Sequence, residues 1–171
     1  MILWGETYTK NYISDQDDRI YRRSLYIYWK RTSPHPMMTL FDAPSRETSC
    51  VQRSRTNTSL QSLAFFNETQ RVEAARKLAE RLLRKEEKDI KRIEYLFQLL
   101  VSRKPSEIER EALSSLLENA RSRFSKSKES ADSLVSVGLA STDASLKSDE
   151  VAAWTQVSST ILASDPVILL Y

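Results

Sequence analysis

The chain has 171 residues, a length that fits one domain or one domain with an extended arm. Only 2 residues are glycine, which argues against a β-rich architecture and excludes a glycine-rich loop that cradles phosphate. With 1 cysteine and 1 histidine, the chain can form no internal disulfide, no usual structural zinc site and no covalent haem attachment motif.

Charge is unevenly distributed along the chain, although the formal net charge is only +3. Residues 1–60 carry 9 basic and 6 acidic side chains, residues 61–104 carry 11 and 7, and residues 105–171 carry 6 and 10. Two interpretations are open. The basic and acidic parts could face each other within the fold, or the basic part could bind nucleic acid or another anionic partner.

The sequence shows neither the pattern of a membrane span nor that of a signal peptide. No window of about 18 consecutive apolar residues occurs, so we expect no membrane span. The residues after Met1 lack the basic region, the apolar core and the cleavage site of a signal peptide, which leaves the localisation of this chain unassigned.

Residues 1–66 show little periodicity and are predicted to form an arm. Between Tyr21 and Trp29, one helical face would carry Leu25, Tyr28 and Trp29, which favours a helix, although the tyrosine spacing also suits a strand. Prolines at positions 34, 36 and 44 then predict extended or turned chain.

A short helix is predicted from Thr58 to Phe66, with Thr56 or Thr58 as its N-cap. From Asn67 onwards, apolar residues recur at three- and four-residue spacing, which predicts an amphipathic helix. Its apolar stripe comprises Val72, Ala75, Leu78, Ala79, Leu82 and Leu83. Its other side is predicted to carry mostly charged residues, namely Arg71, Arg76, Lys77, Glu80, Arg81 and Arg84.

Further helices follow the same pattern. One ends near Pro105, and the next begins with a capping box formed by Ser106 and Glu109. Residues 125–148 either continue this helix or form a loop, and a last helix begins near Asp149. The residues predicted to face inward are Ile90, Ile93, Leu96, Phe97 and Leu100, then Ile108, Ala112, Leu116, Leu117, Ala120 and Phe124, and finally Trp154, Val157, Ile161 and Leu162.

These elements predict an all-α protein, a small irregular helical bundle with an extended basic and aromatic N-terminal arm. We expect the bundle to span residues 67–171 and the arm to span residues 1–66. The arm is predicted to pack on the bundle, so that the chain forms one domain overall.

Isolated residues with chemical potential are explained most simply by structural roles. We interpret His35, which lies between two prolines, as an exposed loop histidine. Asp15, Asp17 and Asp18 resemble the start of a calcium loop but lack its glycine and terminal glutamate, which favours a solvated acidic turn. Cys50 is interpreted as a small buried hydrophobe, with a reactive thiolate as the alternative. We predict no catalytic residue and no metal site.

Basic and aromatic side chains interleave in the arm, and this pattern is the best candidate for function. Aromatic rings could stack on bases while arginines hold phosphates. We favour the alternative, in which these residues pack the arm and carboxylates satisfy the arginines. The candidate interaction residues are Tyr21, Arg22, Arg23, Tyr26, Trp29, Lys30, Arg31, Asp42, Arg46, Glu47, Arg53, Arg55 and Asn57.

Three stretches of the arm resemble the motifs of a known bacterial family. They read YRRSLYIYWKRTSP at residues 21–34, FDAPSRE at residues 41–47 and RSRTNTSLQSL at residues 53–63. In this order they resemble the planctomycete-specific domain one family, a domain of unknown function. Ser59 stands where that family usually has proline.

The resemblance implies a C-terminal domain of a larger secreted, periplasmic or envelope-associated protein, in which an upstream cytochrome c module holds haem. It implies no cofactor and no catalytic residue in this chain. In the family a long stretch precedes the position of Trp4, so we expect a C-terminal fragment. Apolar surface that normally packs on the missing part would then be exposed, and homo-oligomerisation is an expected consequence.

Three functional hypotheses follow. The leading one is a non-catalytic helical interaction domain, whose arm docks the missing N-terminal part of the parent or another protein chain. The second is a module that binds nucleic acid or an acidic polysaccharide. The third is a contribution to an enzyme active site in the intact parent, with a cleft lined by Asp42, Arg46, Glu47, Arg53 and Arg55.

Overall fold

The structure, a computed structural model, describes Asp15, residues 17–29 and residues 34–169. This part of the chain forms eight α-helices, two short 3₁₀ turns and no strand, which confirms the predicted all-α class. The 3₁₀ turns are Asp18–Tyr21 and Ser24–Tyr26. The helices are α1 (Pro36–Leu40), α2 (Ser59–Asn67), α3 (Thr69–Lys85), α4 (Asp89–Val101), α5 (Glu107–Lys126), α6 (Lys128–Val135), α7 (Ser148–Leu162) and α8 (Asp165–Ile168).

The chain divides into two compact units, Met1–Thr56 and Asn57–Tyr171. The first unit contains the 3₁₀ turns and α1, and the second contains α2 to α8. The arm predicted over residues 1–66 therefore includes α2, a helix of the second unit. The boundary after residue 66 stays a prediction.

Helix α7 lies at the centre of the second unit, where it contacts α2, α3, α4, α5, α6 and α8. Its residues Val151 to Thr155 are all buried, and Trp154 has no exposed surface. The backbone groups of a helix hydrogen-bond to one another, but its apolar side chains are removed from water only where other elements cover them. A helix that is buried on most of its circumference therefore needs neighbours on each buried face. The core of the unit is therefore arranged around the last of the long helices.

Capping chemistry starts α2 and α5 as the sequence predicts. Thr58 is the N-cap of α2, because its hydroxyl accepts the Gln61 N–H at 3.3 Å and the Gln61 side chain accepts the Thr58 N–H at 2.9 Å. Ser106 and Glu109 form the same reciprocal pair at α5, at 3.3 and 2.7 Å. These two capping boxes fix where each helix begins.

The α-helix predicted between Tyr21 and Trp29 is wrong. This stretch contains the end of one 3₁₀ turn and the whole of the next, and Leu25 is 72% exposed. Short helices depend on the burial of an apolar face, and here Leu25 and Tyr28 of that face are exposed. The acidic turn before it is confirmed, since the Asp17 carboxylate accepts the Arg19 N–H at 3.0 Å and caps the first turn.

The inward face of α5 differs from the predicted one. Ile108 is 80% exposed, whereas Leu113, Leu117, Ala120 and Phe124 are buried. These buried residues follow one another at spacings of four, three and four, which is the period of a single helical face. The predicted set mixed two adjacent faces. In α4, Ile90 was also predicted to face inward and is exposed.

Arg76 and Glu80 were predicted on the charged outer side of α3, and both are buried. The Arg76 guanidinium donates to Glu80 Oε1 at 2.8 Å and to the carbonyls of Ala140 and Ser141 at 2.7 and 3.3 Å. The segment between α6 and α7 thus covers this side of α3. Its carbonyls take the place of water around the guanidinium, which makes burial of the charge tolerable.

Glu73 holds the same segment from the adjacent turn of α3. Its carboxylate accepts the N–H groups of Leu139 and Ala140 at 2.5 and 3.2 Å. Gly138 has a φ of +98°, and a Cβ there would lie 1.9 Å from Glu73 Oε2. Glycine is required at this position because both the left-handed backbone and the close approach of the carboxylate exclude a side chain.

A second charged group joins three helices at one end of the bundle. Arg121 of α5 donates to Asp89 of α4 at 2.5 Å and to Glu150 of α7 at 2.9 Å. Glu150 also accepts the indole N–H of Trp154 at 3.1 Å. The hydrogen bond from Arg121 lowers the pKa of Asp89, so the carboxylate stays ionised and the junction stays intact at neutral pH.

We predict that Arg76→Ala lowers the free energy of unfolding by about 1.5–3 kcal/mol, because buried Glu80 loses one of its two cationic donors and the Ala140 carbonyl loses its donor. Urea denaturation measures the loss. The matched control is Arg81→Ala on the same helix, which removes an exposed guanidinium above the Tyr95 ring, at a cost of about 1 kcal/mol or less. Equal losses in the two variants would contradict the role assigned to Arg76.

We also predict that stability falls as the pH drops from about 4.5 towards 2. Hydrogen bonds from Arg103 and the Ser106 amide lower the pKa of Glu109 from 4.5 to about 2. A carboxyl whose pKa is lowered in the folded state stabilises it above the ordinary pKa and loses that contribution as it is protonated. In Glu109→Gln, which keeps the capping partner without the charge, the urea midpoint should fall less steeply over this range. Parallel curves for the two proteins would refute the assignment.

Candidate interaction surface

Asp42 joins the second and third motif stretches within the first unit. Its Oδ2 accepts both the N–H and the hydroxyl of Thr56 at 2.8 Å. Arg53 donates from Nε to the Asp42 carbonyl at 2.9 Å and from Nη2 to the Phe41 carbonyl. These bonds close the intervening segment into a loop, so Asp42, Arg53 and Thr56 have a structural role in the first unit.

Trp29 joins the first motif stretch to the second. The Arg46 guanidinium lies 4.9 Å from the centroid of the Trp29 ring, a cation–π contact. Asp42 and Arg46 have φ values of +58° and +64°, in the left-handed region that non-glycine residues rarely adopt. Such a backbone persists only where surrounding contacts hold it, and both residues make such contacts.

Three motif arginines, by contrast, make no direct side-chain contact with the described residues. The side chains of Arg22, Arg23 and Arg55 are exposed, and within the described residues they form no ion pair, hydrogen bond or ring contact. Every other arginine in that part of the chain contacts a carboxylate, a carbonyl, an amide or an aromatic ring. The donors of these three side chains therefore remain available.

Apolar residues surround two of these arginines in the sequence. Tyr21, Leu25, Tyr26 and Tyr28 are each more than half exposed. The 3₁₀ turns that carry them are closed by their own backbone bonds, including Tyr26 N–H to the Arg23 carbonyl at 3.0 Å. The first unit thus presents tyrosine, leucine and arginine side chains on a backbone with local order.

Helix α2 presents a second exposed apolar surface. Leu60, Leu63 and Phe66 lie at three-residue spacing along one face and are exposed. We call them the α2 row. Gln61 and Phe65 on the other face are buried, and α2 contacts α3 and α7. The helix is therefore anchored on one side and open on the other.

The remaining candidate residues lie elsewhere. Lys30 and Arg31 lie outside the described residues. Glu47 is exposed, and its N–H donates to Ser45 Oγ at 3.4 Å. Asn57 belongs to the second unit, where its side chain donates to Asp165 at 2.5 Å and links the start of α2 to α8.

His35 and Cys50 differ from their predicted environments. His35 is half-buried and serves as the N-cap of α1, because its Nδ1 accepts the Met37 N–H at 3.3 Å. Cys50 is exposed rather than buried, and its thiol donates to the Gln52 carbonyl at 3.2 Å. Neither residue could be placed from the sequence, since the surrounding loop carries no periodic pattern.

A cavity of about 230 Å³ lies in the second unit, between α3, α6, α7 and the segment before α7, and no motif residue lines it. Two of the three acidic side chains that line it are engaged: Glu80 by Arg76 and Lys77, and Asp143 by Arg84 and Ser145; the third, Asp132, is exposed. Within the described ranges, no group of three or more His, Cys, Asp and Glu residues is placed to hold a metal ion. No helix there has the length and apolarity to cross a membrane.

A model of a protein family of unknown function, PSD1 (DUF1553), matches residues 5–117. The chain belongs to this family. The match includes the three motif stretches, all of α1 to α4 and about half of α5. Neither curated proteins nor solved structures match the chain. The family resemblance seen in the sequence is confirmed.

Most of the large apolar residues that are exposed in the described part of the chain lie within the PSD1 match. Of the 12 large apolar residues that are exposed in the described part of the chain, 11 lie within residues 5–117, and only Leu139 lies beyond. Helix α7, which is the most buried helix, lies outside the match. The PSD1 region therefore carries most of these exposed apolar residues, and the segment that follows it completes the core of the second unit.

Proposed function

We propose that this PSD1 chain is a non-catalytic interaction domain that binds another protein chain through the apolar residues of its PSD1 region. The observation that carries the proposal is the concentration of exposed apolar side chains in that region. Exposed apolar residues that are grouped on one element, as in the α2 row, mark interaction sites. Tyrosine and arginine, which the arm presents together, are enriched at such sites.

The α2 row is suited to a protein partner in particular. All nine residues of α2 are uncharged, so a partner that covers Leu60, Leu63 and Phe66 desolvates no charge on this helix. The capping box of Thr58 and the buried Phe65 hold the helix in place before binding. The helix therefore loses little conformational entropy when a partner binds. A partner helix or groove could recognise the row by the three-residue spacing of its side chains.

The rest of a larger parent protein is the partner that the motif resemblance supports. In this proposal the parent is secreted, periplasmic or envelope-associated, and an upstream cytochrome c module holds its haem. The chain itself contributes binding surface and no cofactor. The support is the resemblance of the stretches at residues 21–34, 41–47 and 53–63, together with the open surface beside them.

The proposal is tested by photo-crosslinking in the source cells. A benzophenone amino acid replaces Leu63 in the α2 row or, as the matched control, exposed Ser133 on α6 outside the PSD1 match. We expect ultraviolet light to convert the Leu63 variant into a specific protein adduct and the Ser133 variant into none. Mass spectrometry then identifies the crosslinked protein.

An adduct with the remainder of a parent protein, or with a second copy of this chain, supports the proposal and identifies the partner. The absence of a protein adduct at position 63 contradicts it. Equal adduct formation from positions 63 and 133 also contradicts it, because non-specific collision would then explain both.

A further inference from the structure

We propose, on the basis of the proposed function, that the arm recognises an acidic, amphipathic segment of a partner protein. The recognising residues are the three arginines that make no direct side-chain contact with the described residues, Arg22, Arg23 and Arg55, and the exposed apolar residues beside the first two. The carboxylates of the segment would accept from the arginines, and its apolar side chains would cover Tyr21, Leu25, Tyr26 and Tyr28.

Other arginines in the described part of the chain show how a guanidinium pairs with carboxylates. Arg121 binds Asp89 and Glu150, and Arg103 binds both carboxylate oxygens of Glu109 at 2.7 and 2.8 Å. A guanidinium presents its donors in a planar fork that matches a carboxylate. Arg22, Arg23 and Arg55 have the same fork, and within the described residues none of them hydrogen-bonds to a carboxylate. The pKa of Asp17 is lowered by hydrogen bonds from Arg19 and, to a smaller extent, by the charge of Arg22.

Charge balance favours a protein segment over a polyphosphate. The first unit, residues 1–56, carries 9 basic and 6 acidic side chains, which is a modest net positive charge rather than a dense one. Nucleic acids and sulfated polysaccharides select dense positive surfaces, whereas a protein segment can offer a few carboxylates at fixed positions.

The apolar residues favour the same partner. Leu25 and Val51 are among the most exposed apolar side chains in the described part of the chain. Aliphatic side chains offer no face on which a base can stack, but they pack well against the apolar side chains of a peptide. The mixture of aliphatic, tyrosine and arginine side chains is therefore complementary to an acidic amphipathic segment.

The test uses the purified full-length chain and three fluorescent probes. The first is a peptide in which pairs of glutamate alternate with leucine and phenylalanine. The second has glutamine in place of each glutamate, and the third is a single-stranded oligodeoxynucleotide with the charge of the first. Anisotropy titrations compare the wild type with the triple variant Arg22→Gln, Arg23→Gln and Arg55→Gln. The matched control, Lys88→Gln with Arg110→Gln and Lys128→Gln, removes the same charge from the bundle surface.

We expect the glutamate peptide to bind the wild type and the control equally, and the arm variant at least about tenfold more weakly, because the variant can no longer form the charge-assisted bonds to the glutamates. The glutamine peptide should lose affinity to a similar extent. All three arm arginines are exposed and form no side-chain hydrogen bond or ion pair with the described residues, so we expect the variant to keep its fold, which circular dichroism verifies.

Absence of peptide binding, or equal weakening in the arm variant and the control, overturns the inference. Tighter binding of the oligonucleotide than of the glutamate peptide also overturns it, in favour of a polyanion module. Failure of the peptide together with a protein adduct at position 63 leaves the proposed function standing without this specificity. Binding of the glutamate peptide, without any protein adduct at position 63, supports the inferred specificity of the arm for acidic segments and contradicts the proposed function.

Discussion

The burial of α7 is the constraint on which the second unit depends. Trp154 lies at the centre of this helix, and its indole N–H is satisfied by Glu150, which Arg121 ties to Asp89. One side chain thus belongs both to the apolar core and to the charged junction of three helices. Helix α7 packs against the inner faces of the family-matched helices α2 to α5. These helices can therefore be stable while apolar residues on their outer faces are exposed.

Charges in the two units are used differently. In the bundle, Arg76, Glu73 and Glu80 are buried and hold the segment before α7 against α3. Buried charges of this kind specify one arrangement, since any shift would leave a charge without its partner. In the arm, Arg46 contacts Trp29 and Arg53 donates to the Asp42 carbonyl, and these contacts connect the motif stretches. The side chains of Arg22, Arg23 and Arg55 are exposed. This division separates residues that shape the fold from residues that can meet a partner.

Local rules predicted more of the fold than of the surface. The helical period located α3 and α7, and capping chemistry placed the starts of α2 and α5, because these signals depend on residues within a few positions. Burial of Arg76 could not be predicted, since it depends on a segment more than sixty positions away. The same holds for Arg22 and Arg23, whose motif membership was evident but whose lack of direct side-chain contacts with the described residues is a property of the folded chain.

Hydroxyl-radical footprinting of the chain, alone and within its source cells, is the most direct test of the account. If the PSD1 region is an interaction surface, Tyr26, Leu60 and Phe66 are modified rapidly in the purified chain and are protected in cells. Leu139, which is exposed outside the family match, should be modified equally in both states. Equal modification of all four residues in the two states would contradict the claim that a partner covers this surface.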